Sequence, residues 1–334
     1  MYKNQTEKCS FVLFLDLFFD MITIDMKFLS WGRKTVLCIL VILMISFLGG
    51  CTGEMDQETR ERDPNLHYEI PPFLSNTFNE DAAKQKDSFL IDTSQKEDGY
   101  FGVKAESEKR LKIQVLYEDL TYTYNLKNDG TVSFFPFQEG NGSYAIRIME
   151  HVVDNKYSEK FRVEEDVKLK DEFQPFLHTS VYVDYTEDSE CVKKANEFAK
   201  EAMDALDYIS MVYKFICKNI RYDVKKAENI PTGYIPVPDE TMETGKGICF
   251  DYASLAASML RSQGIPTKLI FGYVSPDDLY HAWNMVYTEE EGWVTVEFSV
   301  SKESWNRVDL TFSANGSDSK FIGNGDNYAD VYEY

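Results

Sequence analysis

The chain has 334 residues, 43% of them hydrophobic and 27% charged, with 18 glycines and 10 prolines; this excludes a disordered, fibrous or low-complexity protein and leaves room for roughly two domains. Fifty-six acidic against thirty-five basic residues give a net charge of −21. That field repels phosphate backbones and anionic lipid heads, so no nucleic-acid partner is expected.

Thr35 to Phe47 is an uninterrupted apolar stretch preceded by Lys27, Arg33 and Lys34, and after Leu48-Gly49-Gly50-Cys51 the chain turns polar. A basic flank, a short apolar segment and small residues at its end describe an export signal, and the stretch is short for a membrane span of about 20 residues. The Leu48–Cys51 tetrad resembles the lipobox of bacterial lipoproteins. That resemblance implies removal of residues 1–50, a lipid on Cys51, and a protein anchored in the cell membrane facing outward. Phe11 to Ile24 is broken by Asp16 and Asp20, so translation is expected to start at Met26. The mature body keeps a charge of about −22, so the lipid has to supply the membrane attachment.

Residues 51–94 read as a polar tether carrying Pro64, Pro71 and Pro72, with a short strand near Ser88 to Asp92. Residues 95–187 read as an all-β, sandwich-like domain. Lys112 to Tyr117, Thr121 to Tyr124 and Thr131 to Phe135 are strand-like, and Asn128-Asp129-Gly130 marks a hairpin. A second hairpin joins Ser143–Val153 to Tyr157–Leu169 across Asp154-Asn155-Lys156. His151 and His178 have no second ligand at metal spacing and read as surface or packed residues.

Residues 188–334 switch to a helical period. Val192, Ala195, Phe198, Ala199, Met203, Leu206, Ile209, Val212 and Ile216 form one apolar face, and residues 229–238 form a loop. Gly245-Lys246-Gly247-Ile248-Cys249 then opens a helix that Gly264 stops. Cys249 falls in its first turn, where unpaired N–H groups and the helix dipole favour a thiolate. Strands follow at Lys268–Val274 and Tyr280–Tyr287, the second placing His281 and Trp283 on one face. A histidine near the sulfur serves as its base, and a carboxylate fixes the histidine tautomer. Glu297 and Asp309, on later strands, are the two candidates for that carboxylate.

The ordered strings G-x-C-x-D-Y-A, L-R-S-Q-G-I-P, G-Y, H-A-W and W-x-x-x-D-x-T-F, between about Ala195 and Asn315, resemble the transglutaminase-like superfamily. The resemblance implies an α+β fold: a papain-like core, with a Cys-bearing helix on an antiparallel sheet, preceded by the sandwich-like domain. It implies Cys249 as nucleophile, His281 as base and an acidic third member. Asp309 is preferred because V-D-L-T-F looks like the family's D-P-T element, although Leu310 replaces the proline and the gap from His281 is long. Glu297 is the alternative. The implied activity is peptide hydrolysis, deamidation or transamidation of a protein or peptide substrate outside the cell, through a thioester. No cofactor or metal is expected, since no Cys/His cluster has zinc spacing. The other readings are a non-catalytic module binding peptides or wall polymers, and a structural disulfide from Cys249 to Cys191 or Cys217.

Overall fold

Among the described residues eight strands precede the first α-helix, with apolar and polar residues alternating clearly along the fourth and fifth: β1 (Lys84–Lys86), β2 (Phe89–Asp92), β3 (Tyr100–Glu106), β4 (Leu111–Tyr117), β5 (Leu120–Leu126), β6 (Asp129–Pro136), β7 (Gly142–Val153) and β8 (Lys156–Val167). The computed structural model describes residues 63, 65–274, 279–290, 292–300, 308–314 and 328–334. The expected signal region, Met26 and Cys51 lie outside them. The strands form two antiparallel four-stranded sheets, ordered β1-β2-β3-β6 and β5-β4-β7-β8. Along β4 the period of two buries Leu111, Ile113 and Val115 and leaves Lys112 and Gln114 half-covered. Ile91, Phe101, Val103 and Phe135 of the first sheet share one core with Ile113, Val115, Tyr124, Ile146 and Ile148 of the second.

The expected hairpin at Asn128-Asp129-Gly130 is a crossing between sheets, because β5 pairs with β4 whereas β6 pairs with β3. Gly130 does take a positive φ of 83°, and a Cβ there would meet Glu106 Oε1 at 2.6 Å. The Asn128 side chain is held by the Ser107 and Lys109 carbonyls. A positive φ serves a sheet switch as well as a hairpin, so the turn signal does not distinguish them. The β7–β8 hairpin forms as expected, with Asp154 at φ 51°.

The segment expected as a tether is packed from Tyr68 onward. Tyr68 stacks on Tyr208 at 5.4 Å and donates its hydroxyl to the Gln263 carbonyl at 2.6 Å, while Phe73 meets Tyr185 edge-on at 5.9 Å. Pro71 and Pro72 stand between these aromatics, so they leave no helical or strand period in the sequence.

The continuous apolar face read after Thr186 divides into α1 (Glu190–Glu201) and α2 (Ala205–Asn219). Asp204 starts the second helix by accepting the Asp207 N–H at 2.9 Å. There follow β9 (Arg221–Tyr222), α3 (Val224–Glu228), α4 (Pro238–Thr244), β10 (Lys246–Gly247) and α5 (Cys249–Arg261). The last five strands are β11 (Thr267–Val274), β12 (Leu279–Thr288), β13 (Gly292–Val300), β14 (Val308–Ala314) and β15 (Tyr328–Glu333). They make one antiparallel sheet ordered β14-β13-β12-β11-β15. The fold is therefore α+β, with a β-rich N-terminal region.

Helix α5 is central. Residues 251 to 261 are all buried, and Leu255, Ala256, Met259 and Leu260 belong to the core cluster that also holds Val212 and Tyr213 of α2 and Leu269, Ala282 and Val296 of the sheet. Ile270, Trp283 and Met285 form a separate cluster with Trp293. Phe173 and Phe176 pack against Trp293 at 6.1 and 5.5 Å. Trp283 is thus a core residue.

Candidate active site

The thiol is delivered by a short parallel pairing of β9 with β10. The Asp223 N–H donates to the Gly247 carbonyl at 2.8 Å, and Ile248 follows in an extended conformation that lets α5 begin at Cys249. The Asp251 carboxylate reaches back to accept the Ile248 N–H at 2.8 Å, half of a capping box. Gly247 is required by this return, since a Cβ there would lie 2.7 Å from the Asp251 Cβ. Asp251 is fully buried and also receives the Tyr234 hydroxyl and, at 2.8 Å, the Lys226 ammonium.

The histidine arrives on β12. Asn284, three residues on, locks that strand to the thiol helix. Its amide donates to the Ala253 carbonyl of α5 at 3.1 Å and to the Lys268 carbonyl at 3.3 Å, and its carbonyl accepts the Tyr213 hydroxyl at 3.1 Å. The β12–β13 ladder runs from Thr288↔Gly292 to Asn284↔Val296. Beyond it, the Ala282 N–H points to the Cys249 sulfur. His281 and Trp283 share a side of the strand, their rings 6.5 Å apart.

Cys249 hydrogen-bonds His281. Burial pushes the thiol up, but the His281 bond and charge, with the Ala282 and Phe250 N–H groups, outweigh it and hold the thiol below its ordinary value. As a residue Cys249 keeps partial exposure. Cys191 is the contrast: burial, with Asp239 beside it, pushes its thiol far up. Among the described residues Cys191, Cys217 and Cys249 are all free thiols, so the disulfide reading does not hold.

The structure thus brings Cys249 and His281 together. Glu297 and Asp309 are placed by backbone register. Glu297 pairs with Thr311, and Asp309 pairs with Ser299. Glu297 therefore lies on the strand beside that of His281, and Asp309 one strand further. Asp251, Lys226, Tyr234 and Asn284 are site-building residues to which the sequence reading assigned no role. Asp251 and Asn284 lie within or next to the G-x-C-x-D-Y-A and H-A-W strings. Lys226 and Tyr234 carry no sequence signal, because only the chain path brings them to Asp251.

Residues 192–298 match the family model for the transglutaminase-like superfamily. UPF0252 protein MJ1282 of Methanocaldococcus jannaschii is 31% identical over 77 residues, 22% of this chain and 22% of that protein. A protein-glutamine gamma-glutamyltransferase of Pseudomonas aeruginosa is 33% identical over 78 residues, 20% of this chain and 12% of that protein. The chain thus spans under a quarter of the length of either curated relative. The solved periplasmic domain of TgpA from Pseudomonas aeruginosa is similar at 13% identity and a TM-score of 0.31, covering 65% of this chain and 71% of that one. Cys249 at a helix start, beside a histidine from an antiparallel sheet and inside the matched span, identifies residues 192–298 as a transglutaminase-like domain.

Proposed function

We propose that the protein is a thiol enzyme acting on amide bonds through a thioester on Cys249, held at the outer face of a bacterial membrane by lipid on Cys51. The observation that carries the chemistry is the Cys249–His281 hydrogen bond, with the thiol held below its ordinary value. The thiolate attacks the amide carbonyl carbon, and the Cys249 N–H, in the first turn of α5 where backbone donors lack helical partners, helps bind the resulting oxyanion. The His281 imidazolium gives its proton to the leaving amine as the C–N bond breaks. Water attacks the thioester next, losing its proton to His281 and releasing the acid and the thiol. An amine in place of water makes the same site a transamidase. Attack by water on a glutamine-derived thioester is deamidation.

Glu297 is the better third member. Neighbouring strands lie about 4.8 Å apart, so a residue two strands away starts nearly 10 Å off. Asn284 and Val296 are a facing pair, so alternation puts positions 281 and 297 on one face of adjacent strands. Asp309 shares that face through Ser299 but lies a strand further. The family match includes Glu297 and ends before Asp309. On this reading Glu297 is preferred, in place of the Asp309 that the V-D-L-T-F context favoured.

Iodoacetamide labelling of the full chain across pH tests the site, with Cys191, Cys217 and Cys249 quantified separately in the wild type and in His281→Ala. Cys249 is expected to react fastest at low pH and to lose that advantage without His281. If it behaves like Cys217 in both proteins, the nucleophile reading fails and a non-catalytic binding module takes its place. For the anchor, radiolabelled palmitate should enter the wild type and not Cys51→Ser; equal labelling of both would reject it.

A further inference from the structure

Asp251 has more partners than a helix cap needs. Its bond to the Ile248 N–H caps α5, whereas the other two come from a separate segment: Lys226 in α3 and Tyr234 in the loop after it. Lys226 also donates to the Tyr234 hydroxyl at 2.6 Å and sits 4.5 Å over the Tyr234 ring. Burial and Asp251 push the Tyr234 hydroxyl far up, so it stays a donor. Lys226, Tyr234 and Asp251 therefore form a closed triangle in the first turn of the thiol helix.

We propose that Lys226 is a positioning residue for the Cys249 chemistry: pairing with Asp251, it cancels a buried negative charge in the helical turn that carries the sulfur and pins residues 224–234 against that turn. The proposal rests on reading Cys249 as a thiolate nucleophile. A thiolate that forms near an uncompensated carboxylate is disfavoured by like-charge repulsion. With Lys226 in place, the thiolate–imidazolium pair sits beside a second neutral pair. The groups facing the sulfur are His281 and the Ala282 N–H from β12, the Phe250 N–H from α5 and Tyr222 from β9, and Asp251, two residues along the same turn, acts on that Tyr222 as well. Burial, with Cys249 and Asp251 nearby, pushes the Tyr222 hydroxyl up to about 12, so it keeps its proton at the pH values tested.

The test is the pH profile of Cys249 alkylation in the full chain and in four variants. Lys226→Met is expected to raise the pH of half-maximal labelling by about one unit, because Asp251 is then unpaired. Asp251→Asn is expected to lower it, because an unpaired ammonium remains. The double variant, neutral at both positions, should return close to the wild type, and Lys226→Arg should keep the wild-type profile. Shifts of the same sign in both single variants, or no shift in either, overturn the proposal, since loss of structure alone does not produce opposite signs. Should one single variant fail to fold, the return of the double variant to the wild-type profile, read beside the other single variant, decides the matter. His281→Ala separates the two readings. If wild-type Cys249 shows no low-pH reactivity that depends on His281, the thiolate reading has failed. If it does and the charge variants leave the profile in place, only the role of Lys226 has failed.

Discussion

The two halves of the molecule bury their side chains by different means. In the sandwich of β1–β8 the interior is mostly apolar and exposed ion pairs lie at the rim, such as Arg162–Glu164 at 3.0 Å. Around α5 the apolar interior also carries a network of buried polar side chains. Ser254 donates to the Tyr182 carbonyl at 2.6 Å, Asn284 bridges helix and sheet, and Arg261 donates to the carbonyls of Thr267, His178 and Tyr334 at 2.8, 2.9 and 3.1 Å. Apolar area holds strands together without specifying the placement of any one side chain to tenths of an ångström. Directional bonds do specify it, at the cost that each loss leaves a buried partner unpaired. A site whose thiol must meet one imidazole belongs in the second kind of interior.

The largest effects should therefore fall where chemistry and polar packing coincide. Under the proposed function, Cys249→Ala should abolish turnover of a glutamine-containing peptide, assayed by ammonia or amine release, and His281→Ala should lower kcat about 10²- to 10⁴-fold. Glu297→Gln should cost at least tenfold in kcat while Asp309→Asn stays near the wild type; the opposite order would restore Asp309 as the third member.

Arg261→Met tests the polar interior without touching the thiol. Three carbonyls lose their donor together, and about 3–5 kcal/mol of stability should be lost, read as the fall in urea midpoint at constant slope. A change below 1 kcal/mol would mean that the contrast between the two interiors has no energetic content.

His178, packed between the halves, adds a pH signature. Its Nδ1 lies 2.8 Å from Asn76 Oδ1, and burial lowers its ring to about 4. The folded protein thus holds the ring neutral at pH values where the unfolded chain, with an ordinary value near 6.5, takes up a proton. The stabilisation is complete above about pH 6.5 and is lost as the pH falls toward 4, by at most about 3 kcal/mol at 1.4 kcal/mol per unit. In His178→Gln, urea titrations at pH 7 and pH 4 should differ by that much less than in the wild type.

Asn284→Ala should cost about 2 kcal/mol and slow the alkylation of Cys249, because β12 loses its tie to the thiol helix. Glu164→Gln, at the sandwich rim facing Arg162, should cost no more than about 1 kcal/mol and shrink in high salt. If the rim substitution proved costlier than Asn284→Ala, the comparison would be reversed.

Local signals and tertiary facts divide along a physical line. The strands of the sandwich, the α5 start at Cys249 and the stop near Gly264, and the strand placing His281 beside Trp283 were legible because each is a short-range pattern: a period of two, a period of 3.6, or a glycine at positive φ. The sheet switch at Gly130 was not, because the same positive φ serves a hairpin. The break at Asp204 was hidden under an apolar face that continues across it.

By itself, then, the sequence determined an acidic α+β protein with a thiol at a helix start, a histidine on a later strand and two carboxylates in reserve. Tertiary structure decided the rest: that Cys249 meets His281, that β13 rather than β14 lies beside β12, and that Lys226 and Tyr234 converge on Asp251. Spacing along a chain records which residues can share a face of one element. Which elements become neighbours is set by the burial of a common core, here the packing of α5 against α2 and the β11–β13 sheet, and no local pattern encodes that choice.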